Sequence, residues 1–118
     1  MPSNSVRGTV VEVNLDPSVG REYMKKRPCL VLQSDLLNKH SQTTIVAPIT
    51  GAENVKQGPT YVLIKKGDGG LPKDSFVVCH QVRVVDESRI GKVYGMVTRE
   101  TFSKVAEALK IVFDLPMA

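Results

Sequence analysis

The chain has no tryptophan and only three tyrosines, three phenylalanines and two cysteines among its 118 residues. So few rings exclude a broad aromatic platform for stacking bases, and leave Tyr23, Tyr61 or arginine planes to do any stacking. Cys29 and Cys79 sit in separate apolar runs without a Cys-x-x-Cys spacing. They fit small core residues better than a metal site or a redox pair. His-Glu-x-x-His is absent and no carboxylates cluster, so the sequence offers no ligand set for a metal nuclease and implies no cofactor. No apolar run approaches the roughly 18 residues of a membrane helix. The segment MPSNSVRG lacks the basic and apolar regions of a signal peptide. A cytoplasmic protein is expected.

At 42% hydrophobic, the composition suffices for one core without staples, so residues 1–118 are expected to form a single domain. The net charge of +4 is uneven. Between residues 21 and 40, Arg21, Lys25, Lys26, Arg27 and Lys39 face only Glu22 and Asp35, whereas the segment from residue 96 onward is balanced. A local basic surplus favours a polyanion such as RNA through phosphate neutralisation. A solvated loop is the plain alternative.

Gly8 to Leu15 alternate as a half-buried strand, with Val11, Val13 and Leu15 on one face and Val10, Glu12 and Asn14 on the other. Turn residues from Asp16 to Gly20 open a polar loop that runs to Lys26. Cys29 to Leu32 and Thr43 to Ile49 have strand composition, with a short helical turn or polar loop between them. Pro48 cannot donate to a ladder, which predicts an edge or a bulge there. After a polar loop over 51–59, Thr60 to Ile64 form a strand. The Gly-rich turn Lys65 to Gly70 lacks the Lys-Ser/Thr ending of a phosphate loop. Ser75 to Val85 alternate as one long strand, with Phe76, Val78, His80, Val82 and Val84 on one face, and Arg89 to Gly95 form a short one. Thr98 caps a helix whose stripe of Phe102, Val105, Ala106, Leu109, Val112 and Phe113 is core, and Pro116 stops it. Short strands followed by one amphipathic helix describe a mainly β, α+β protein: a small antiparallel barrel with a C-terminal helix.

If the strands at Cys29 and Thr43 pair as antiparallel neighbours, Arg27 and Thr50 lie at the same end of the sheet. Together with them stand Arg7-Gly8, Asp16 to Glu22, Arg27 to Leu32, Ser34-Asp35, Val46 to Thr50, Asp74-Ser75 and Gln81-Val82-Arg83. In order and spacing this set resembles the MazF/PemK/Kid family of toxin endoribonucleases. The resemblance implies an SH3-like barrel of the CcdB/Kid type, a homodimer, metal-independent cleavage of single-stranded RNA, and a cognate antitoxin, expected to be acidic. It also implies catalytic roles for Arg27 and Thr50 and RNA-binding roles for Glu22 and Gln81. Lys25 and Lys26 of the basic surplus, and Ser34, join the RNA-binding candidates. The chain departs from the family pattern at Thr9, at Ser34 and at Lys26, which bears on RNA preference more than on the reaction.

Cutting RNA with its own 2′-hydroxyl needs in-line geometry, removal of that proton, charge stabilisation at phosphorus and protonation of the leaving 5′-oxygen. A guanidinium fork holds two phosphate oxygens, and a threonine hydroxyl bonds the same phosphate or relays a proton. An arginine is a poor general base, so the base is left open, with His40 and His80 as alternatives. By period His80 reads as a satisfied core or edge residue, and His40 as a loop residue. Two other readings stand beside the nuclease: a CcdB-like barrel that poisons DNA gyrase, and an inactive RNA-binding barrel.

Overall fold

Strand β3 (Thr43–Gly51) organises the sheet in the computed structural model, which describes residues 6–53 and 57–116. On one side it pairs antiparallel with β2 (Lys26–Val31), in the register Cys29 to Pro48, Leu30 to Ala47 and Val31 to Val46. On the other side two strands share its length. β6 (Arg83–Asp86) covers Thr43 to Val46, and β5 (Ser75–Val78) covers Ile49 to Gly51. β1 (Thr9–Asn14) and then β7 (Ile90–Met96) extend the sheet beyond β2, and β4 (Tyr61–Ile64) extends it beyond β5. The ends at β4 and β7 do not join, so the expected barrel is an open antiparallel sheet.

The central strands bury both faces. Val11, Val13, Leu15, Cys29, Val31, Val46 and Val85 form one cluster, and Val10, Leu30, Ala47 and Ile49 belong to the other. The alternation within β1 is therefore real, but Val10 is as buried as Val11, because its face packs under the Gly69 turn and into a cluster that a helix completes. That helix is α2 (Arg99–Phe113), which places Val105 and Ala108 in the second cluster. Thr98 caps it by accepting from the Thr101 N–H (3.2 Å), and Asp68 accepts from the Thr98 N–H (2.9 Å). Asp114, in the left-handed conformation, ends it two residues before Pro116. Phe113, expected in the core stripe, is 56% exposed because it lies in the helix's last turn, beyond the sheet-facing residues.

The long strand expected from Ser75 to Val85 is broken. β5 ends at Val78, a 3-10 turn runs from Cys79 to Gln81, and β6 begins at Arg83. The cause lies in β3: Val77 pairs with Ile49 and Arg83 with Val46, so five residues, 78–82, must pass over two, 47 and 48. The surplus leaves the ladder as a turn. Pro48 sits in this gap, with β2 on its other side, so of the two expectations there the bulge holds and the edge does not. The expected 51–59 loop falls partly outside the described residues.

Beyond β2, Ser34 caps the short helix α1 (Asp35–Asn38). Asn38, 1% exposed, fastens it: its Oδ1 accepts from Gln33 Nε2 (2.9 Å) and the Thr44 hydroxyl (2.8 Å), and its Nδ2 donates to the Gln33 carbonyl (3.0 Å). Burial of such an amide is tolerated because it is bonded on both ends. Gly70, at φ +73°, lies so close to β7 that a Cβ there would meet the Tyr94 carbonyl oxygen at 2.1 Å.

Candidate active site

Arg27 enters β2 directly after the loop that follows β1. The loop neck is pinned: the Leu15 N–H donates to the Lys25 carbonyl (2.9 Å), and the Lys25 N–H donates to Asp16 Oδ1 (2.9 Å). Lys25 itself takes a positive φ of 64°, a strained choice for a residue with a side chain. The Arg27 guanidinium is half-buried and held from three directions. Its Nε–H donates to the Met24 carbonyl (3.4 Å), its Nη1–H donates to the Ile49 carbonyl (3.3 Å), and its Cζ lies 4.5 Å from the centroid of the Tyr23 ring. Both hydrogen bonds are long, so they orient the group more than they bind it.

Continuing the β2–β3 register by two residues places Thr50 opposite Arg27. Thr50 is only 4% exposed. The two side chains line one hollow of about 260 Å³ with Pro28, Gly51, Ser75 and Tyr94. The expected pairing of a cation with a hydroxyl at one end of the sheet is thus present. Cys29, two residues along β2, takes no part as a nucleophile. Burial pushes its thiol up to about 12, against the opposing pull of Arg27 and Arg83, so it stays protonated and inert.

A second hollow, of about 350 Å³, lies between the 16–26 loop and the 79–81 turn. Glu22, Tyr23, His80, Gln81 and Arg83 line it, but Arg27 and Thr50 do not. Glu22 is exposed, with Oε1 accepting from the Val19 N–H (2.8 Å). Gln81 is half-buried, and both ends of its carboxamide engage the loop backbone. Lys25 and Lys26 are exposed just before Arg27 in the chain and line neither hollow. Ser34 is not brought to this end: it follows the opposite end of β2, where its hydroxyl accepts from the Leu37 N–H (3.4 Å).

His80 is exposed on the 3-10 turn, not in the core. Its Nδ1 pairs with the Thr60 hydroxyl (2.8 Å) and its ring meets Tyr61 edge-on. Hydrogen-bonded at the rim and sharing the Tyr61 ring with Phe76, it fits the edge half of the expected reading and not the core half. His40 is exposed and lines neither hollow. Among the described residues, the ion pairs are Lys73–Glu53 and two within α2, so none neutralises Arg21, Lys25, Lys26 or Arg27. The basic surplus remains a local positive field.

Residues 6–113 match the family model described as PemK-like, MazF-like toxin of type II toxin-antitoxin system. The chain belongs to this toxin family. It is 36% identical over 109 residues to Endoribonuclease MazF of Staphylococcus saprophyticus, a match covering 92% of this chain and 91% of that protein. Its fold is similar to the crystal structure of MazF from Deinococcus radiodurans, with a TM-score of 0.83 at 22% identity over 97% of this chain and 100% of that one. It is also similar to an endoribonuclease in complex with its cognate antitoxin from a Mycobacterial species, with a TM-score of 0.79 at 22% identity over 96% and 98% of the two chains. Membership in this family favours the toxin endoribonuclease over a gyrase-poisoning barrel and over an inactive RNA-binding one.

Two arginines of this toxin were not among the site candidates from sequence, and Tyr23, expected as a ring for stacking bases, meets Arg27 instead. Arg83 and Arg89 hold the loop's base. Arg83 Nη1 donates to the Leu15 carbonyl (3.3 Å), and Arg89 Nη1 donates to the carbonyls of Asn14 (3.1 Å) and Asp16. The basic surplus signals cations near the loop, but not that cations outside it reach its carbonyls.

Proposed function

We propose that this toxin cleaves single-stranded RNA without a metal, using the RNA's own 2′-hydroxyl, and that Arg27 and Thr50 carry the reaction. The observation that supports this reading is their convergence on one hollow, with the guanidinium oriented by two carbonyls and a ring. The 2′-oxygen attacks phosphorus as its proton leaves, the bond to the 5′-oxygen breaks, and that oxygen takes up a proton. The products are a 2′,3′-cyclic phosphate and a 5′-hydroxyl. Arg27 stabilises the charge that builds on the phosphoryl oxygens with donors already aimed, which is where such donors contribute most. Thr50 hydrogen-bonds the same phosphate or relays a proton. Glu22 lines the second hollow, and Lys25 and Lys26 are exposed just before Arg27 in the chain, so the flanking strand follows the loop into that hollow.

The protein acts in the cytoplasm as a homodimer; no helix among the described residues is long and apolar enough to cross a membrane. An acidic antitoxin neutralises it by covering the uncompensated cations around Arg27. The test is cleavage of a long mixed-sequence RNA in excess EDTA, with the cut ends typed chemically. Discrete EDTA-resistant cuts with cyclic-phosphate ends are expected. A folded protein that cuts nothing, or cuts only when metal is supplied, rejects the reading.

A further inference from the structure

Gln81 is the one side chain that grips the loop between Ser18 and Arg27 from the 79–81 turn. The Tyr23 N–H donates to its Oε1 (3.2 Å), and its Nε2 donates to the Arg21 carbonyl (3.3 Å). The two bonds straddle Glu22 and use the carboxamide's acceptor and a donor together, as a strand partner would. Tyr23 is the residue whose ring lies against Arg27. The turn that presents Gln81 exists because 78–82 cannot stay in register over Ala47 and Pro48, so the grip belongs to the sheet and not to the loop.

We propose that Gln81 is a positioning residue: by holding Arg21 and Tyr23 in the RNA-free protein it sets the Tyr23 ring against the guanidinium and so fixes the aim of Arg27. The structural half stands by itself; the catalytic half rests on the endoribonuclease reading. Without the grip, Tyr23 keeps the Ser18 hydroxyl on its carbonyl (3.0 Å) and its packing on the core but loses the two bonds that fix its backbone on the side of the 79–81 turn; a displacement of about 1 Å at a reacting group costs about a hundredfold in rate.

The experiment compares wild type, Gln81→Met and Gln81→Glu. Methionine keeps the volume and removes both bonds. Glutamate keeps the acceptor for Tyr23 and loses the donor to Arg21. In the RNA-free protein, exchange of the Tyr23 amide and the ring-current shift of the Arg27 Nε–H are read by NMR, with the Leu30 and Val46 amides as the check on folding. On a short RNA substrate, kcat and KM are measured separately. For Q81M the expected result is Tyr23 exchange about tenfold faster, loss of the ring-current shift, and a kcat about ten- to a hundredfold lower with KM within about threefold. Q81E is expected to fall between Q81M and wild type. An unchanged Tyr23 amide and Arg27 shift in folded Q81M overturns the grip. A lost shift with kcat unchanged overturns the positioning role, and a raised KM with kcat unchanged assigns Gln81 to RNA binding. Absence of cleavage by wild type removes the catalytic half together with the endoribonuclease reading, while the NMR pair still decides the grip.

Discussion

Replacing Arg27 with lysine keeps the charge and removes the fork, which separates two things the guanidinium does. In the folded protein the losses are small. The bonds to Met24 and Ile49 are at 3.4 and 3.3 Å, the long end of hydrogen bonding, and the contact with the half-buried Tyr23 ring is worth about 0.5–1 kcal/mol. Together they amount to about 1–2 kcal/mol, a few degrees in Tm for a domain of this size. In the transition state the loss is larger. Removing an aimed electrostatic donor costs about 10²–10³ in rate, and a lysine restores the charge without the two-point grip. We therefore expect Arg27→Lys to cut single-turnover cleavage by about a hundredfold, Arg27→Ala by about a thousandfold, and both to unfold within about 6 °C of wild type. The assay is single-turnover cleavage of a short RNA in EDTA, run beside thermal unfolding. Folded R27K cleaving within threefold of wild type would show that charge alone suffices and refute the fork. The same outcome for R27A would remove Arg27 from the reaction.

Thr50→Val removes a hydroxyl at a 4% exposed position with little change of shape, so cleavage should fall about tenfold or more while Thr50→Ser stays near wild type; equal rates for all three would dismiss the hydroxyl. Asn38→Ala strips the partners from Gln33 and the buried Thr44 hydroxyl, and should lower the unfolding free energy by about 2–4 kcal/mol in urea while leaving cleavage per folded molecule unchanged. The two thiols should resist alkylation until the protein unfolds. Burial holds Cys29 up to about 12 and Cys79 up to about 11, against an ordinary 9.0, so the unfolded chain ionises first. Stability is then whole below about pH 9 and declines as the pH rises toward the folded values. Urea midpoints that stay flat from about pH 8 to 10 would contradict this.

What was legible in the sequence is what local pattern encodes. Alternation marks β1, apolar runs mark β2 and β3, and Thr98 with its helical stripe marks α2 to within a turn. Arg27 and Thr50 meet for a reason equally local, since they begin and end neighbouring antiparallel strands. The break between β5 and β6 was not legible: residues 75–85 alternate as a continuous strand, and the mismatch that splits them is a property of their pairing with β3. His80 sits exposed on the resulting turn instead of along a strand. Ser34 carried a family position, yet its local chemistry, a hydroxyl before Asp35 to Asn38, is a helix cap. Arg83 and Arg89 stayed hidden because an arginine near a strand end looks solvated, and nothing nearby in the chain shows that it reaches carbonyls at residues 14–16.

Those arginines, with Gln81, hold the loop through groups that every residue possesses: the carbonyls of Asn14, Leu15, Asp16 and Arg21, and the amide of Tyr23. This anchoring from outside asks nothing of the side chains at 19 and 21, whereas Gly20 holds a φ of +62° and the Glu22 carboxylate accepts from the Val19 N–H. Val19 and Arg21 can therefore be exchanged over generations, or on a bench, without rebuilding what supports them. A toxin built this way can drift in what its rim touches while the residues at its centre stay in place, and a library randomised at these two positions should return many folded proteins.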